Sequence, residues 1–284
     1  MIVDAHHHVW DPGARPHLWL AGYPALRRPF PIGEFTRLSS AHGVSASVLV
    51  QVLASRSETE EFLAIAAAGG PVAGVVGWVD LTAPDAAAQI ARLRELPGGD
   101  RLVGVRHLVQ DEPDPEWLRR PDVRRGLRAA GEAGLACDLL VRPAQLPAAV
   151  RTTGELSEVR FILDHGGKPA IAEGGFEPWA SLIAELAARP HVACKLSGLV
   201  TEAGPGWSPG QIAPYADQLL GCFGPDRLIF GSDWPVCTLA ASYGQVLALA
   251  RELLAARLGP AGTAAVLAGN AITWYGLRLP PASS

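Results

Sequence analysis

Ile2-Val3-Asp4-Ala5-His6-His7-His8-Val9-Trp10-Asp11-Pro12 starts on two apolar residues, runs into a polar cluster and stops at Pro12-Gly13. The pattern reads as a short buried strand that ends in a loop. Side chains alternate along a strand, so His6 and His8 are expected on one face, roughly 7 Å apart along the backbone. Asp4 should share that face and His7 should take the other. Two imidazoles on one face at the end of a strand suit a metal or a catalytic pair. A leftover purification tag is one alternative, but a tag is normally a longer His run outside any hydrophobic pattern. Histidines that are merely satisfied in a core are the other, and the far end of the chain argues against them.

A strand of this kind needs a fold that buries it. The chain has 284 residues, 49% of them hydrophobic, and a formal net charge of -4. The length exceeds that of most single domains, but an α/β barrel occupies about 250 residues as one domain. The hydrophobic content suits strands buried on both faces. No apolar run approaches the roughly 20 residues of a membrane helix, and no basic-then-apolar leader opens the chain, so a cytoplasmic protein without a membrane partner is expected. The acidic balance excludes a general nucleic-acid surface, which needs a basic stripe. Cys137, Cys194, Cys222 and Cys237 lack close paired spacing, so reduced thiols are expected.

Beyond the first strand, residues 11–40 are rich in Pro, Trp and Arg and read as one long irregular loop, a candidate lid. A regular beat then sets in. Strand-like runs fall at 44–51, 72–81, 102–109, 135–141, 159–165, 192–199 and 228–233. Helical stretches fall at 58–68, 84–96, 115–134, 144–156 and 177–189, in a run ending near 223, and at 242–258 and 261–275. Eight strands that alternate with helices must be parallel, with right-handed crossovers, and eight such strands close into a barrel. A doubly wound sheet is the alternative, but no glycine-rich dinucleotide fingerprint follows the first strand. The fold expected is a (β/α)8 TIM barrel, one domain over residues 1–284.

Catalytic groups of such barrels sit at the C-terminal strand ends. Those ends carry His6 and His8; Gln51; Trp78 and Asp80; Arg106, His107 and Gln110; Arg142; Asp164, His165 and Lys168; Lys195 and Ser197; and Ser232, Asp233 and Trp234. Every apolar approach ends in polar or aromatic chemistry, which scattered core histidines would not produce.

Asp4-Ala5-His6-His7-His8-Val9-Trp10-Asp11, Gly104-Val105-Arg106-His107, Leu163-Asp164-His165-Gly166-Gly167-Lys168-Pro169, Lys195-Leu196-Ser197-Gly198-Leu199 and Phe230-Gly231-Ser232-Asp233-Trp234-Pro235-Val236 occur in order. This set resembles the lactonase branch of the amidohydrolase superfamily, the group that includes L-fuconolactonase, L-rhamnonolactonase and 2-pyrone-4,6-dicarboxylate lactonase. The resemblance runs nearly end to end and includes Gly269-Asn270-Ala271 and Trp274-Tyr275. It implies a hydrolase of carbohydrate metabolism that opens a sugar-derived lactone.

It also implies a metal set of His6, His8, His165 and Asp233, with zinc as the expected ion. The superfamily often adds a strand-5 His and a bridging Lys or Glu on strand 4. Neither is present here, so at most one divalent ion is expected. Some relatives work without metal, so a metal-independent reaction is the alternative.

Lactone hydrolysis needs a water deprotonated, a carbonyl polarised and a tetrahedral charge stabilised. Asp233 is the candidate base. His6, His8 and His165 either hold a metal or donate to the carbonyl oxygen. Gln51, Trp78, Arg106, His107 and Lys168 are the candidate substrate contacts. Alternation points only one of Arg106 and His107 inward, and His107 shares parity with Val103 and Val105. His17, His42 and His191 lie away from the strand ends and receive no role.

Three other readings compete. Related barrels decarboxylate aromatic or unsaturated acids, but they usually carry Glu where His6 stands. A dicarboxylated pyrone or a muconolactone would need a cluster of cations at the mouth. Arg106, Arg142, Lys168 and Lys195, with Arg15, Arg27 and Arg28 from the first loop, suffice for one carboxylate, so neutral aldonolactones are expected to be preferred. A non-catalytic binder is disfavoured because the His/Asp set is complete. The expected partner is a small lactone; a homo-oligomer is compatible with the sequence.

Overall fold

Eight short apolar runs form the strands: β1 Val3–His7, β2 Ala46–Val50, β3 Val72–Gly77, β4 Leu102–His107, β5 Ala136–Leu139, β6 Phe161–Leu163, β7 Val192–Leu196 and β8 Leu228–Phe230. The protein is seen here as a computed structural model that describes residues 1–279. Each strand pairs in parallel with the next in chain order. The ring closes between the ends of β8 and β1, where His7 bridges Trp234, the His8 amide donates to Trp234 O at 2.7 Å and the Asp233 amide donates to His6 O at 2.8 Å. The barrel expected from the strand–helix beat is the fold observed.

The α-helices are α1 Ile32–Ala41, α2 Arg56–Ala67, α3 Ala86–Arg94, α4 Pro121–Glu132, α5 Leu146–Glu155, α6 Trp179–Ala187, α7 Leu199–Ala203, α8 Pro209–Phe223, α9 Tyr243–Ala255, α10 Pro260–Ala264 and α11 Asn270–Tyr275. Two of them correct the sequence reading. Residues 11–40 are not irregular throughout, since α1 begins at Ile32 directly after Pro31. It buries only Phe35 and Ser39, too few positions to show a helical period. The segment without α-helix is therefore 11–31, and it too carries short 3-10 turns at Leu18–Gly22 and Pro24–Leu26. Residues 261–275 are not one helix either: a π-turn at Ala265–Gly269 separates α10 from α11. Asn270 then ties the segment to the barrel by donating to Pro225 O and Leu228 O, each at 2.6 Å.

The core has two layers. Val3, Ala5, Ala46, Val48, Val50, Ala136, Ile162, Ala193 and Ile229 line the interior, closed below by Ala271, Tyr275 and Leu277. The opposite strand faces, among them Leu49, Cys137, Leu163, Cys194 and Phe230, pack against the helices. Side chains on the interior face thus point toward the barrel axis, so polar residues of that face at the strand ends share one chamber. Among the described residues, no helix is long and apolar enough to cross a membrane.

Candidate active site

An irregularity in β1 decides which residues reach the chamber. Asp4 pairs with Ser47 and His7 with Leu49, three steps on β1 against two on β2. The extra residue is a bulge, and a bulge re-aims the side chains beyond it. Val3 and Ala5 face the interior before it, and His6 and His8 do so after it. Gly231 leaves the room His6 needs, because a Cβ there would stand 2.6 Å from His6 Cβ.

The expectation that Asp4 shares a face with His6 and His8 is therefore corrected. Asp4 turns outward, where its Oδ1 accepts from the Ser232 amide at 2.8 Å and the His6 amide at 3.2 Å. Its Oδ2 accepts from the Tyr243 hydroxyl at 3.0 Å. Burial pushes this carboxyl up to about 6. His7 also faces out, stacked on Phe35 with 3.6 Å between ring centres, its Nε2 3.0 Å from Ser47 Oγ.

Two unusual turns supply the other members of the set. His165 has φ +53° and Asp233 has φ +58°. Non-glycine residues held in the left-handed region are strained and concentrate at functional sites. Here the turns swing the imidazole and the carboxylate back over the barrel axis. Gly198 makes His165's position possible, since a Cβ there would lie 2.7 Å from His165 Nδ1.

The four side chains named from the sequence converge. His6 Nε2 lies 3.2 Å from His8 Nε2. Asp233 Oδ1 lies 3.4 Å from His8 Nε2, 3.7 Å from His6 Nε2 and 3.9 Å from His165 Nε2. Burial, with Lys195 adding to it, keeps the His6 imidazolium well below its usual range, and burial lowers His165 to about 4. Burial alone would lift the Asp233 carboxyl, but His165 and His8 beside it hold it below the ordinary range. At neutral pH, then, His6 and His165 are uncharged and face an ionised carboxylate.

A layer of buried charge lies beneath them. Arg106 Nε donates to Gln51 Oε1 at 2.9 Å, its Nη2 donates to Gln51 O, and its Nη1 donates to Asp164 Oδ2 at 2.9 Å. Lys195 Nζ lies 2.6 Å from Asp138 Oδ2 and 2.9 Å from both Asp164 Oδ1 and His6 Nδ1. The Tyr275 hydroxyl donates to Asp138 Oδ2 at 2.7 Å. Burial raises Asp138 to about 6 in spite of Lys195. For Asp164, burial is overcome by Lys195, His6 and Arg106, which hold it well below the usual range.

The sequence reading gave no role to Asp138, Asp164, Ser197 or Tyr275, and placed Lys195 only among candidate cations. A signal was available. A charged residue alternating with apolar ones, in a strand buried on both faces, must find its partner inside.

The expected substrate contacts are arranged differently from one another. Arg106 faces inward, in line with Gly104, whereas Val105 packs outward; a register shift where β3 meets β4 sets this parity. His107 points outward, stacked on Trp117 at 4.2 Å, with Nε2 2.7 Å from Glu112 Oε1. Its Nδ1 accepts from Trp78 Nε1 at 3.2 Å, so His107 and Trp78 hold each other. Gln51 is taken up by Arg106 and by Leu53 O at 2.9 Å. Lys168, half-buried, lies 3.3 Å from Glu202. Trp10 and Trp234 fill an aromatic cluster with Phe30, at ring separations of 5.0 and 5.5 Å, and expose almost nothing.

The donor set suits one divalent ion. Tetrahedral bonds of ~2.0–2.1 Å put ligand atoms about 3.3 Å apart, and the separations from His8 Nε2 to His6 Nε2 and Asp233 Oδ1 are 3.2 and 3.4 Å. A ligating imidazole also needs its other nitrogen to donate its proton. His8 Nδ1 has Val50 O at 2.8 Å, and His165 Nδ1 has Ser197 Oγ at 2.9 Å. His6, His165 and Asp233 form the one such cluster found among the described residues.

Residues 3–277 match the family model described as Amidohydrolase. The chain belongs to the amidohydrolase family. It is 39% identical to an L-fucono-1,5-lactonase of Burkholderia ambifaria over 282 residues, covering 98% of this chain and 96% of that protein. An amidohydrolase of Burkholderia multivorans solved with zinc bound superimposes with a TM-score of 0.92 at 38% identity, covering 98% of this chain and 100% of the other. The same protein solved with HEPES bound gives 0.91 at the same identity and coverage. The amidohydrolase expectation drawn from the ordered motifs is met.

Proposed function

We propose that this amidohydrolase is a lactonase that opens a sugar-derived lactone by water attack on the ester carbonyl, with Asp233 as general base. The observation that carries the reading is that one oxygen, Asp233 Oδ1, faces the Nε2 atoms of His8, His6 and His165 at 3.4, 3.7 and 3.9 Å. A water held there is within reach of an ionised carboxylate that can take its proton, and the imidazoles border the place where the carbonyl oxygen gains charge. The new C–O bond forms as Asp233 accepts the proton. Collapse then expels the ring oxygen, and the proton returns to it from Asp233, giving the open hydroxy acid. Held by His6, His8, His165 and Asp233, a divalent ion such as zinc would polarise the carbonyl and ease loss of the water proton.

The substrate class follows from the relative named L-fucono-1,5-lactonase and from how the cations are used. Arg106 spends its fork on Asp164 and Gln51, leaving no free pair of donors for a substrate carboxylate. Lys168, half-buried 3.3 Å from Glu202, is the cation left to meet ring hydroxyls or the carboxylate that the reaction creates. A neutral polyhydroxylated ring suits this arrangement.

The test is a panel of aldonolactones and aromatic acids given to the pure protein while proton and CO2 release are followed. Proton release with lactones above the spontaneous rate, and no CO2 from any acid, is expected. CO2 release without lactone turnover would overturn the proposal.

A further inference from the structure

His6 differs from its two neighbours in what surrounds both ring nitrogens. A neutral imidazole carries one proton, so one nitrogen donates and the other accepts. His8 has the Val50 carbonyl, an acceptor only, beside Nδ1, which leaves its Nε2 bare, and His165 has the Ser197 hydroxyl, which can accept, beside its Nδ1. At His6 each nitrogen has one donor-only neighbour and one acceptor. Nδ1 lies 2.9 Å from the Lys195 ammonium and 3.4 Å from Asp164 Oδ1. Nε2 lies 3.3 Å from the Arg106 guanidinium and 3.2 Å from the bare His8 Nε2.

The neighbours sort into two complete sets. In one, Lys195 donates to Nδ1 and the proton on Nε2 is given to His8. In the other, Nδ1 gives its proton to Asp164 Oδ1, and Nε2 offers a lone pair to Arg106 or to a cation. Asp164 Oδ1 is a fully buried carboxylate oxygen that the Lys195 ammonium approaches to 2.9 Å, with His6 Nδ1 3.4 Å away. A carboxylate oxygen accepts more than one hydrogen bond, so Oδ1 can take the Nδ1 proton beside its contact with Lys195.

We propose that His6 is a two-position tautomer element, and that Lys195 and Asp164 are the positioning residues that hold its two states. The shorter contacts belong to the Lys195 state, so the metal-free protein keeps an N–H on Nε2, donated to His8. Occupation by a divalent cation requires the proton to cross to Nδ1, where Asp164 Oδ1 accepts it. The exchange moves one proton between nitrogens of the same neutral ring. Lys195 therefore weakens cation binding and keeps the His6–His8 hydrogen bond in place when no cation is there. The inference rests on the proposed reaction centre only in that His6 Nε2 faces it; its test involves no lactone, so the two can fail separately.

The measurement is 15N NMR of the histidine side chains in the metal-free protein, with His6 assigned by its loss in His6→Asn, followed by zinc addition. In the metal-free wild type the His6 proton is expected on Nε2, and zinc should move it to Nδ1. In Lys195→Gln the side-chain carbonyl can accept from Nδ1, so the proton should sit on Nδ1 before zinc is added. Zinc should then bind about tenfold tighter by chelator competition. A proton already on Nδ1 in the metal-free wild type would overturn the proposal. So would a folded Lys195→Gln protein with wild-type tautomer and zinc affinity. If Lys195→Gln does not fold, the wild-type spectra decide alone.

Discussion

Replacing Asp233 with asparagine removes the proposed base while leaving its surroundings in place. The left-handed φ of +58° at this position is one that Asn accepts as readily as Asp. The Asp233 amide bond to His6 O, 2.8 Å long, belongs to the backbone and survives the change. The side chain is nearly fully buried and flanked by imidazoles, so an isosteric amide keeps the packing. What disappears is the ability to take a proton from a water that His6, His8 and His165 border. General-base catalysis is worth ~10²–10⁴ in rate, or about 3–5 kcal/mol of barrier at 1.36 kcal/mol per tenfold. The assay is proton release from an aldonolactone in weak buffer, with thermal unfolding as the control for folding. We expect kcat to fall by at least ~10², with the melting temperature within a few degrees of wild type. A folded Asp233→Asn protein that keeps kcat within about threefold would refute the assignment, because a loss that small is below what a general base contributes.

Gly198→Ala puts a methyl 2.7 Å from His165 Nδ1 at a position with φ +68°, so the imidazole must shift off Ser197 and Asp233. We expect ~1 kcal/mol of lost stability from the backbone and up to ~10² in kcat from the misplaced ring; unchanged kinetics would show that His165 need not be held where it is. Glu58 offers a pH test. Its Oε2 accepts from the Val52 and Leu53 amides at 2.7 and 2.9 Å, yet burial pushes the carboxyl up to about 7. A carboxyl raised above its unfolded value favours the fold when protonated and penalises it once ionised, so the cost grows as pH rises from ~4.5 through ~7. Glu58→Gln keeps an acceptor and removes the charge, and should raise the melting temperature by a few degrees at pH 8 while changing it little at pH 5. An equal shift at both pH values would remove Glu58 ionisation from the account.

The barrel was legible because its signal repeats: eight apolar runs and the helices between them outvote any single boundary error. The four converging residues were legible because each sits at a strand end, where the chemistry of such barrels collects. Local irregularities were not legible. The bulge that swaps the faces of β1 leaves no mark in composition, so Asp4 was placed with His6 and His8 although it clamps β1 to Ser232 and Tyr243. The register shift where β3 meets β4 hid in the same way which of Arg106 and His107 turns inward. Lys195 was counted only among the cations, although its parity opposes Cys194 and Leu196. Those two face the helices, so opposite parity is what sends Lys195 into the chamber. Tyr275 lay beyond any strand pattern, on the short last helix after the π-turn, from which its hydroxyl donates to Asp138.

The central claim is that this chamber hydrolyses a neutral sugar lactone while its arginine fork is committed to the protein. Its most direct test is kcat/KM for a neutral aldono-1,5-lactone against 2-pyrone-4,6-dicarboxylate at one pH, with spontaneous hydrolysis subtracted. The account predicts that the neutral lactone is preferred by more than about tenfold, some 1.4 kcal/mol. Preference for the dicarboxylate by the same factor would contradict it, and would mean that Arg106 leaves Asp164 and Gln51 to bind substrate.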